Sequence, residues 1–185
     1  MIAQVDNLGH RFDQGWLFRH VAFDLNSGDR LLIQGRNGSG KSTLLKCLVG
    51  LMIPREGTFT APETIGYAAL DQSLYPALNA IEHLELSADL RNCDPKSEAL
   101  LTQVGLADQA NKPCRTFSTG MRSRLKIALA LQQNPSLLIL DEPTAALDQS
   151  GRDLINSIME VFPGAVIYAS NDESDGRWAT HALTL

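Results

Sequence analysis

The sequence is poor in cysteine, in aromatic residues and in positive charge, and it has no long apolar run. Three cysteines are too few and too scattered for a disulfide framework or a zinc site, which favours a reducing compartment. The 16 basic and 21 acidic residues give a net charge of −5, which argues against a broad nucleic-acid-binding face. No apolar stretch approaches the ~20 residues that span a bilayer, and the first residues lack the pattern of a signal peptide. A cytoplasmic protein that binds no nucleic acid is therefore expected.

The length and composition are those of an ordinary globular chain. Its 185 residues predict one domain over 1–185, large enough to bury about 70% of its extended surface. Short buried strands alternate with helices along most of the sequence, which predicts an α/β fold with a mainly parallel central sheet.

The segment from Gly35 to Thr43 reads G-x-x-x-x-G-K-S-T, the pattern of a loop that cradles nucleotide phosphates. Its glycines let successive backbone N–H groups converge on oxyanions. Lys41 can bring a cation to the β- and γ-phosphates, and the Ser42 hydroxyl can ligate Mg²⁺. A predicted strand over 30–34 precedes the loop, and a predicted helix follows it. We therefore predict a site for ATP formed by Gly35, Asn37, Gly38, Ser39, Gly40, Lys41, Ser42 and Thr43.

A second acidic element follows a continuous apolar run near residue 140. The run ends in Asp141 and Glu142, and such a run is typical of a strand buried on both faces of a parallel sheet. An acid at the carboxyl end of a central strand lies beside the phosphate loop in this architecture. Asp141 is predicted to hold Mg²⁺ through its water shell, and Glu142 to polarise an attacking water.

The amino-terminal region predicts two antiparallel strands, Ile2 to Leu8 and Val21 to Leu25, joined through residues 10–16. Phe12 and Trp16 both lie close upstream of the phosphate loop, and either aromatic ring could stack on adenine. An ordinary half-buried core position is the alternative for each ring. The nucleotide-binding set includes Phe12.

Residues 77–134 predict helices without strands, which indicates a helical insertion in the α/β domain. Asn79 begins a capping box for its first helix, and Pro95 is expected at the first position of its second helix. Its last helix is predicted from Phe117 to Asn134, with Lys126 away from the apolar side.

With these motifs in this order, the chain resembles the ATPase domain of the ABC (ATP-binding cassette) superfamily over nearly all its length. Phe117-Ser118-Thr119-Gly120-Met121 stands in the place of the family's Leu-Ser-Gly-Gly-Gln signature. Asp141-Glu142-Pro143-Thr144 and Ala145-Ala146-Leu147-Asp148 match the family's magnesium strand and D-loop. The Ser-Thr-Gly-Met form is similar to that of exporter-type members.

The resemblance implies a head-to-tail dimer, homo- or heteromeric, that holds two ATP molecules at its interface. Ser118 and Gly120 would then contact the nucleotide of the other subunit, and Asp148 would lie near it. The family's transport members dock on a separate membrane protein, here through roughly residues 70–95. A peripheral position on the inner face of the cell membrane follows from this resemblance.

Two positions depart from the family's pattern. Leu70 stands where the family has a glutamine that ligates Mg²⁺. Gln72 could substitute if the loop shifts, and a solvated surface glutamine is the alternative. Asn171 stands in the slot of a histidine that contacts the γ-phosphate, and asparagine cannot be protonated. Either change could slow turnover.

Three functions remain open at the level of sequence. The first is an ATP-hydrolysing subunit of an ABC transporter. The second is a regulatory subunit that binds ATP and hydrolyses it weakly, which Leu70 and Asn171 would suit. The third is a non-transport cassette that acts on ribosomes or nucleic acid, against which the single cassette and the acidic balance argue.

Overall fold

The computed structural model describes residues 1–13, 15–145 and 147–185, and it contains two sheets and five α-helices within them. The strands are β1 (Ala3–Phe12), β2 (Gly15–Leu25), β3 (Arg30–Gln34), β4 (Glu56–Thr60), β5 (Ile65–Ala69), β6 (Leu137–Asp141), β7 (Ala165–Ala169) and β8 (His181–Thr184). The helices are α1 (Lys41–Leu48), α2 (Ala80–Arg91), α3 (Ser97–Gln103), α4 (Thr119–Leu131) and α5 (Gln149–Val161), with 3-10 turns at Ala107–Gln109, Cys114–Thr116 and Glu173–Trp178.

The larger sheet has the strand order β5-β6-β7-β3-β8, and every neighbouring pair is parallel. All residues of β6 and β7 are buried, as their continuous apolar runs predict. One row of this sheet joins Ala69, Asp141, Ala169 and Ile33 across four strands. Because parallel strands leave a sheet at the same edge, the segments that follow these four residues lie side by side.

The smaller sheet is antiparallel, with the order β2-β1-β4. Its two long strands extend further than predicted, because residues 10–12 and 15–16 continue the pairing instead of forming a linker. Irregular register in β1 between Val5 and Arg11 hides the period-two alternation, which is why the sequence pattern breaks there. Gln14 and Ala146, which belong to the predicted linker and D-loop, lie outside the described residues.

Helices α2, α3 and α4 follow one another without an intervening strand, as predicted for residues 77–134. Asn79 accepts a hydrogen bond from the Glu82 N–H and Glu82 accepts one from the Asn79 N–H, which completes the predicted capping box. The predicted start of α3 at Pro95 is wrong. The Asp94 carboxylate accepts the Lys96 N–H at 2.9 Å, and Lys96 adopts a left-handed φ of 48°, so the helix begins at Ser97.

Helix α4 lies directly on strand β5, and this contact sets the height of the helix above the sheet. Gly66 is buried in β5, and a Cβ built there would collide with the Ala130 carbonyl oxygen and approach Pro135 Cγ to 2.9 Å. The absence of a side chain at position 66 therefore allows the backbones to approach closely.

We expect Gly66→Ala to destabilise the protein by about 1–3 kcal/mol, because the added methyl group must push α4 away from β5. Urea unfolding followed by circular dichroism measures this change. Gly176→Ala is the matched control, since a Cβ there meets nothing within 4 Å and its φ is ordinary. Equal stabilities of the two variants would contradict the close-packing argument.

Candidate nucleotide-binding site

The predicted phosphate loop connects β3 to the first turn of α1. Gly40 is the N-cap of α1 with a left-handed φ of 104°, and a Cβ there would lie 2.7 Å from Leu17 Cγ. Only glycine combines that backbone angle with this packing, so the loop comes close to the β1–β2 hairpin. The free N–H groups of the first turn of α1 face the end of the loop, where an anion is favoured.

Helix α1 begins at Lys41, whose side chain folds back over the loop. It is 7% exposed, and its Nζ donates to the Gly35 carbonyl oxygen at 2.8 Å and to Asn171 Oδ1 at 2.9 Å. A longer bond of 3.4 Å to the Arg36 carbonyl oxygen completes the set, so two carbonyls and one amide hold the cation at the loop.

Asn171 lies between this cation and the acidic strand end. Its Nδ2 donates to Glu142 Oε1 at 2.5 Å, and its backbone N–H donates to Glu142 Oε2 at 3.3 Å. The amide accepts from Lys41 and donates to Glu142, so the three side chains form one hydrogen-bonded chain across the site.

The two acidic residues differ in backbone conformation. Asp141 ends β6 in ordinary strand geometry, whereas Glu142 has a left-handed φ of 54°, which a residue with a Cβ adopts only under constraint. The Glu142 N–H donates to the Ala169 carbonyl oxygen at 2.9 Å, which fixes this turn against β7. A strained backbone at a carboxylate is typical of functional positions.

Burial raises the pKa of both carboxyl groups. For Asp141 the hydrogen bond with the Ser42 side chain opposes the rise, and for Glu142 the Asn171 backbone N–H opposes it. A glutamate with a raised pKa is a stronger proton acceptor when ionised, which suits a group that polarises water.

Asp175 is a buried carboxylate that connects the segments carrying Glu142 and Asn171, and the sequence did not reveal its role. Asp175 is fully buried, and its Oδ2 accepts from Thr144 Oγ1 at 2.8 Å and from Ser170 Oγ at 2.6 Å. It thereby joins the segment after Glu142 to the residue before Asn171. Asp175 occurs in a charged stretch, Asn-Asp-Glu-Ser-Asp, that gives no sign of burial.

The phosphate loop, Glu142 and Asn171 converge on one pocket of about 320 Å³, at the lower end of the size range of ligand sites. Phe12 lines it, whereas Trp16 is held between Arg11 and Arg19, with the Arg19 guanidinium 4.2 Å from the ring centre. The geometry therefore favours Phe12 as the ring that faces a base. The lining residues are Phe12, Leu17, Asn37, Gly38, Gly40, Lys41, Ser42, Thr43, Glu142 and Asn171.

Two loop residues of the predicted set contribute to the fold of the loop without lining the pocket. Gly35 supplies the carbonyl that Lys41 binds, and the Ser39 N–H donates to the Arg36 carbonyl oxygen at 3.0 Å. The Ser39 hydroxyl is buried without a hydrogen-bond partner among the described residues. An unpaired buried hydroxyl beside a ring of N–H donors is consistent with an anionic ligand in the loop.

Besides Gly35 and Ser39, five predicted residues do not line this pocket: Gln72, Ser118, Gly120, Asp141 and Asp148. Asp141 lines a small neighbouring cavity together with Glu142. Ser118 is exposed and caps α4 by accepting the Met121 N–H at 3.2 Å, with Gly120 in the same turn. Asp148 caps α5 by accepting the Gly151 N–H at 2.9 Å and pairs with Arg124 at 2.5 Å. Gln72 turns back on its own loop, where its Oε1 accepts the Ala69 N–H at 3.4 Å, and it lines a neighbouring groove.

The donor set fits a magnesium ion that is shared with a nucleotide. Ser42 and Asp141 present hydroxyl and carboxylate oxygens to each other, which are ligands that Mg²⁺ prefers. Within the described ranges no group of three histidine, cysteine, aspartate or glutamate side chains could hold a metal alone. Phosphate oxygens and water would have to complete the shell, as is usual for Mg²⁺.

A parallel sheet with a phosphate loop between strand and helix defines a nucleotide-binding protein of the phosphate-loop class. The family model described as ABC transporter matches residues 18–145, and the chain belongs to this family. The family predicted from the motifs is thus confirmed.

Curated relatives are named as ATP-binding proteins. The uncharacterized ABC transporter ATP-binding protein YdbJ of Bacillus subtilis (strain 168) is 31% identical over 92% of this chain and 61% of the relative. The CcmA export protein of Bradyrhizobium diazoefficiens, an ATP-binding protein of cytochrome c biogenesis, is 36% identical over 77% of this chain and 76% of its own. The "Probable ATP-binding protein YbiT" of Escherichia coli O157:H7 is 34% identical over 91% of this chain, which spans only 33% of that longer protein.

Solved structures confirm the predicted fold class. The ATP binding subunit of an ABC transporter matches all of this chain and 86% of its own, with a TM-score of 0.87 and 24% identity. The dimeric post-hydrolysis state of the cassette MJ0796 bound to ADP and Pi matches all of this chain and 94% of its own, with a TM-score of 0.86 and 23% identity.

If Glu142 accepts a proton during turnover, the acid limb of kcat/KM should have its midpoint above the ordinary glutamate value of 4.5, because burial raises this pKa. Activity is then present above the raised pKa and is lost as the pH falls through it. Asn171→His should add a second titrating group that the wild-type residue cannot provide. A steady-state pH series with circular dichroism at each pH tests this, and a wild-type midpoint at or below 4.5 would count against Glu142 as the base.

Proposed function

We propose that the chain binds Mg²⁺–ATP in the phosphate-loop pocket and hydrolyses it, as the ATPase subunit of an ABC transporter. The observation that carries this proposal is the hydrogen-bonded chain from Lys41 through Asn171 to Glu142. It brings the group that neutralises phosphate charge and the group that polarises water to the same pocket.

The roles of the residues follow from their chemistry. Lys41 and the N–H groups of the first turn of α1 would stabilise the charge that develops on the transferred phosphoryl group. Glu142 would orient and polarise the attacking water, and the Asn171 amide would hold that carboxylate in place. Bound Mg²⁺, held by Ser42 and Asp141, would supply further neutralisation of phosphate charge.

A dimer would complete the nucleotide site. The phosphate-loop pocket is open to solvent, and Ser118 and Gly120 lie exposed or half-exposed at the start of α4, outside it. The free N–H groups of that helix terminus can receive a γ-phosphate held by another subunit. We expect a head-to-tail arrangement in which each subunit supplies Ser118 and Gly120, with Asp148 nearby, to the nucleotide of the other.

A membrane-embedded partner is the second part of the proposal. In the described part of the chain none of the helices has the length and apolarity that a bilayer crossing requires. Large apolar side chains are nevertheless exposed between residues 70 and 95, with Leu70 at 43%, Tyr75 at 64% and Leu90 at 80%. We propose this surface as the docking site for a cytoplasmic segment of the membrane subunit, which would place the protein at the inner face of the membrane.

Lys41→Ala should weaken ATP binding at least about tenfold, because the phosphates lose a charge-assisted donor. Titration calorimetry with Mg²⁺–ATP measures the loss. Lys112→Ala, which removes an exposed lysine, serves as the control and should bind as the wild type does. ATP affinity that is unchanged in Lys41→Ala would refute the phosphate-loop assignment.

Glu142→Gln should bind ATP but hydrolyse it at least about 100-fold more slowly, because the amide cannot act as a base. The retained γ-phosphate should then trap the dimer, which gel filtration with and without ATP detects.

Tagged Glu142→Gln should also recover a polytopic membrane protein from solubilised membranes when ATP is present. A monomer under both conditions would argue against a homodimer, and recovery of ribosomes alone would favour the non-transport cassette.

Two residues favour a second candidate, a regulatory subunit with weak hydrolysis. Leu70 presents an apolar side chain at the edge of the site, and Asn171 cannot exchange a proton. The wild-type turnover number distinguishes the two candidates, since a regulatory subunit would bind ATP while turning over no faster than Glu142→Gln.

A further inference from the structure

Lys126 is a buried cation in the second turn of α4. The sequence placed it away from the apolar side of the helix and gave no sign of burial, but the residue is only 8% exposed. Its Nζ donates to the Ala69 carbonyl oxygen at 3.0 Å and to the Leu70 carbonyl oxygen at 2.6 Å. The side chain therefore runs from the helix to the end of β5.

No carboxylate among the described residues forms an ion pair with Lys126. The two carbonyl dipoles compensate its charge directly, and burial lowers the pKa of the ammonium group, which the more distant charge of Asp71 opposes. Burying a charge without a counter-ion is costly, and an apolar side chain at this position of the helix would avoid that cost. Packing alone therefore does not explain why a lysine is buried at position 126.

The two carbonyls lie next to the magnesium strand. Ala69 pairs in register with Asp141, and Leu70 and Asp141 line the same small cavity. The next residue, Asp71, pairs with Lys46 of α1 at 2.6 Å. Residues 69–71 are thus tied on one side to the helix that follows the phosphate loop and on the other to the helix that carries Ser118.

We infer that Lys126 is a positioning residue that couples occupancy of the phosphate loop to the position of the signature helix α4. The path runs from α1 through Lys46 and Asp71 to the backbone of residues 69–71, and from there through Lys126 to α4. The ammonium group is suited to this role because it holds two successive carbonyls at once, so the strand end and the helix move together. The inference deepens the proposed function, since α4 offers its amino terminus to the other subunit's nucleotide.

The test compares Lys126→Met, Lys126→Arg and the wild type. Methionine keeps the apolar stem and removes both hydrogen bonds, whereas arginine can donate to both carbonyls again. Lys112→Met is the matched control for loss of an exposed lysine. Thermal unfolding shows which variants remain folded, and Lys126→Arg keeps the test decisive should Lys126→Met prove unstable.

The first measurement is hydrogen–deuterium exchange with and without ADP. ADP fills the phosphate loop but lacks the γ-phosphate that a signature helix would bridge, so protection of residues 119–123 reports coupling within one subunit. We expect ADP to slow exchange of these amides about fivefold in the wild type and Lys126→Arg. Lys126→Met should keep protection of residues 35–43 and lose it at 119–123.

The second measurement is steady-state hydrolysis. Lys126→Met should lower kcat about tenfold while the Kd for ATP changes less than about threefold, because the phosphate loop itself is intact. Protection at 119–123 that is absent in the wild type, or unchanged in folded Lys126→Met, overturns the inference. A wild type without turnover refutes the proposed hydrolysis instead, and the exchange experiment still decides the role of Lys126.

Discussion

Four strands of the parallel sheet are paired in one row at or next to their carboxyl ends, and the site depends on this register. Ile33, Ala169, Asp141 and Ala69 are paired across β3, β7, β6 and β5. Within two residues of this row the chain reaches the phosphate loop, Asn171, Glu142 and Leu70, so groups that are far apart in sequence meet at one edge of the sheet. A slip of one residue in any pair would reverse the side-chain faces and separate the groups.

Polar groups buried behind this row hold it in place. Asp175 connects the segments that carry Glu142 and Asn171, and Lys126 connects the end of β5 to α4. Each carries a cost, since among the described residues one Asp175 oxygen has no hydrogen-bond partner and Lys126 forms no direct ion pair. The left-handed backbone of Glu142 adds strain of about 1–3 kcal/mol. Such costs are concentrated where a fold serves function more than stability.

The sequence revealed the parts of the site that depend on local pattern. The phosphate loop, the acidic strand end and the helix cap at Asn79 each follow from short-range chemistry, and the structure places them as predicted. Contacts between distant segments could not be read in this way. Nothing in the sequence shows that Asn171 bridges Lys41 and Glu142, or that Lys126 turns inward, because both follow from tertiary packing. Phe12 fell in a predicted linker since the irregular register of β1 disguised a strand.

The placement of Phe12 has a thermodynamic meaning. Its strand belongs to the antiparallel sheet, whereas the phosphate loop, Glu142 and Asn171 extend from the parallel sheet. A nucleotide that stacks on the ring and binds the loop would link the two sheets as a non-covalent crosslink. Ligand that binds only the folded state adds about 2.7 kcal/mol of stability at 100 times its Kd. At this site the added stability would act on the packing between the two sheets. Nucleotide binding would therefore strengthen that packing, and nucleotide release would weaken it.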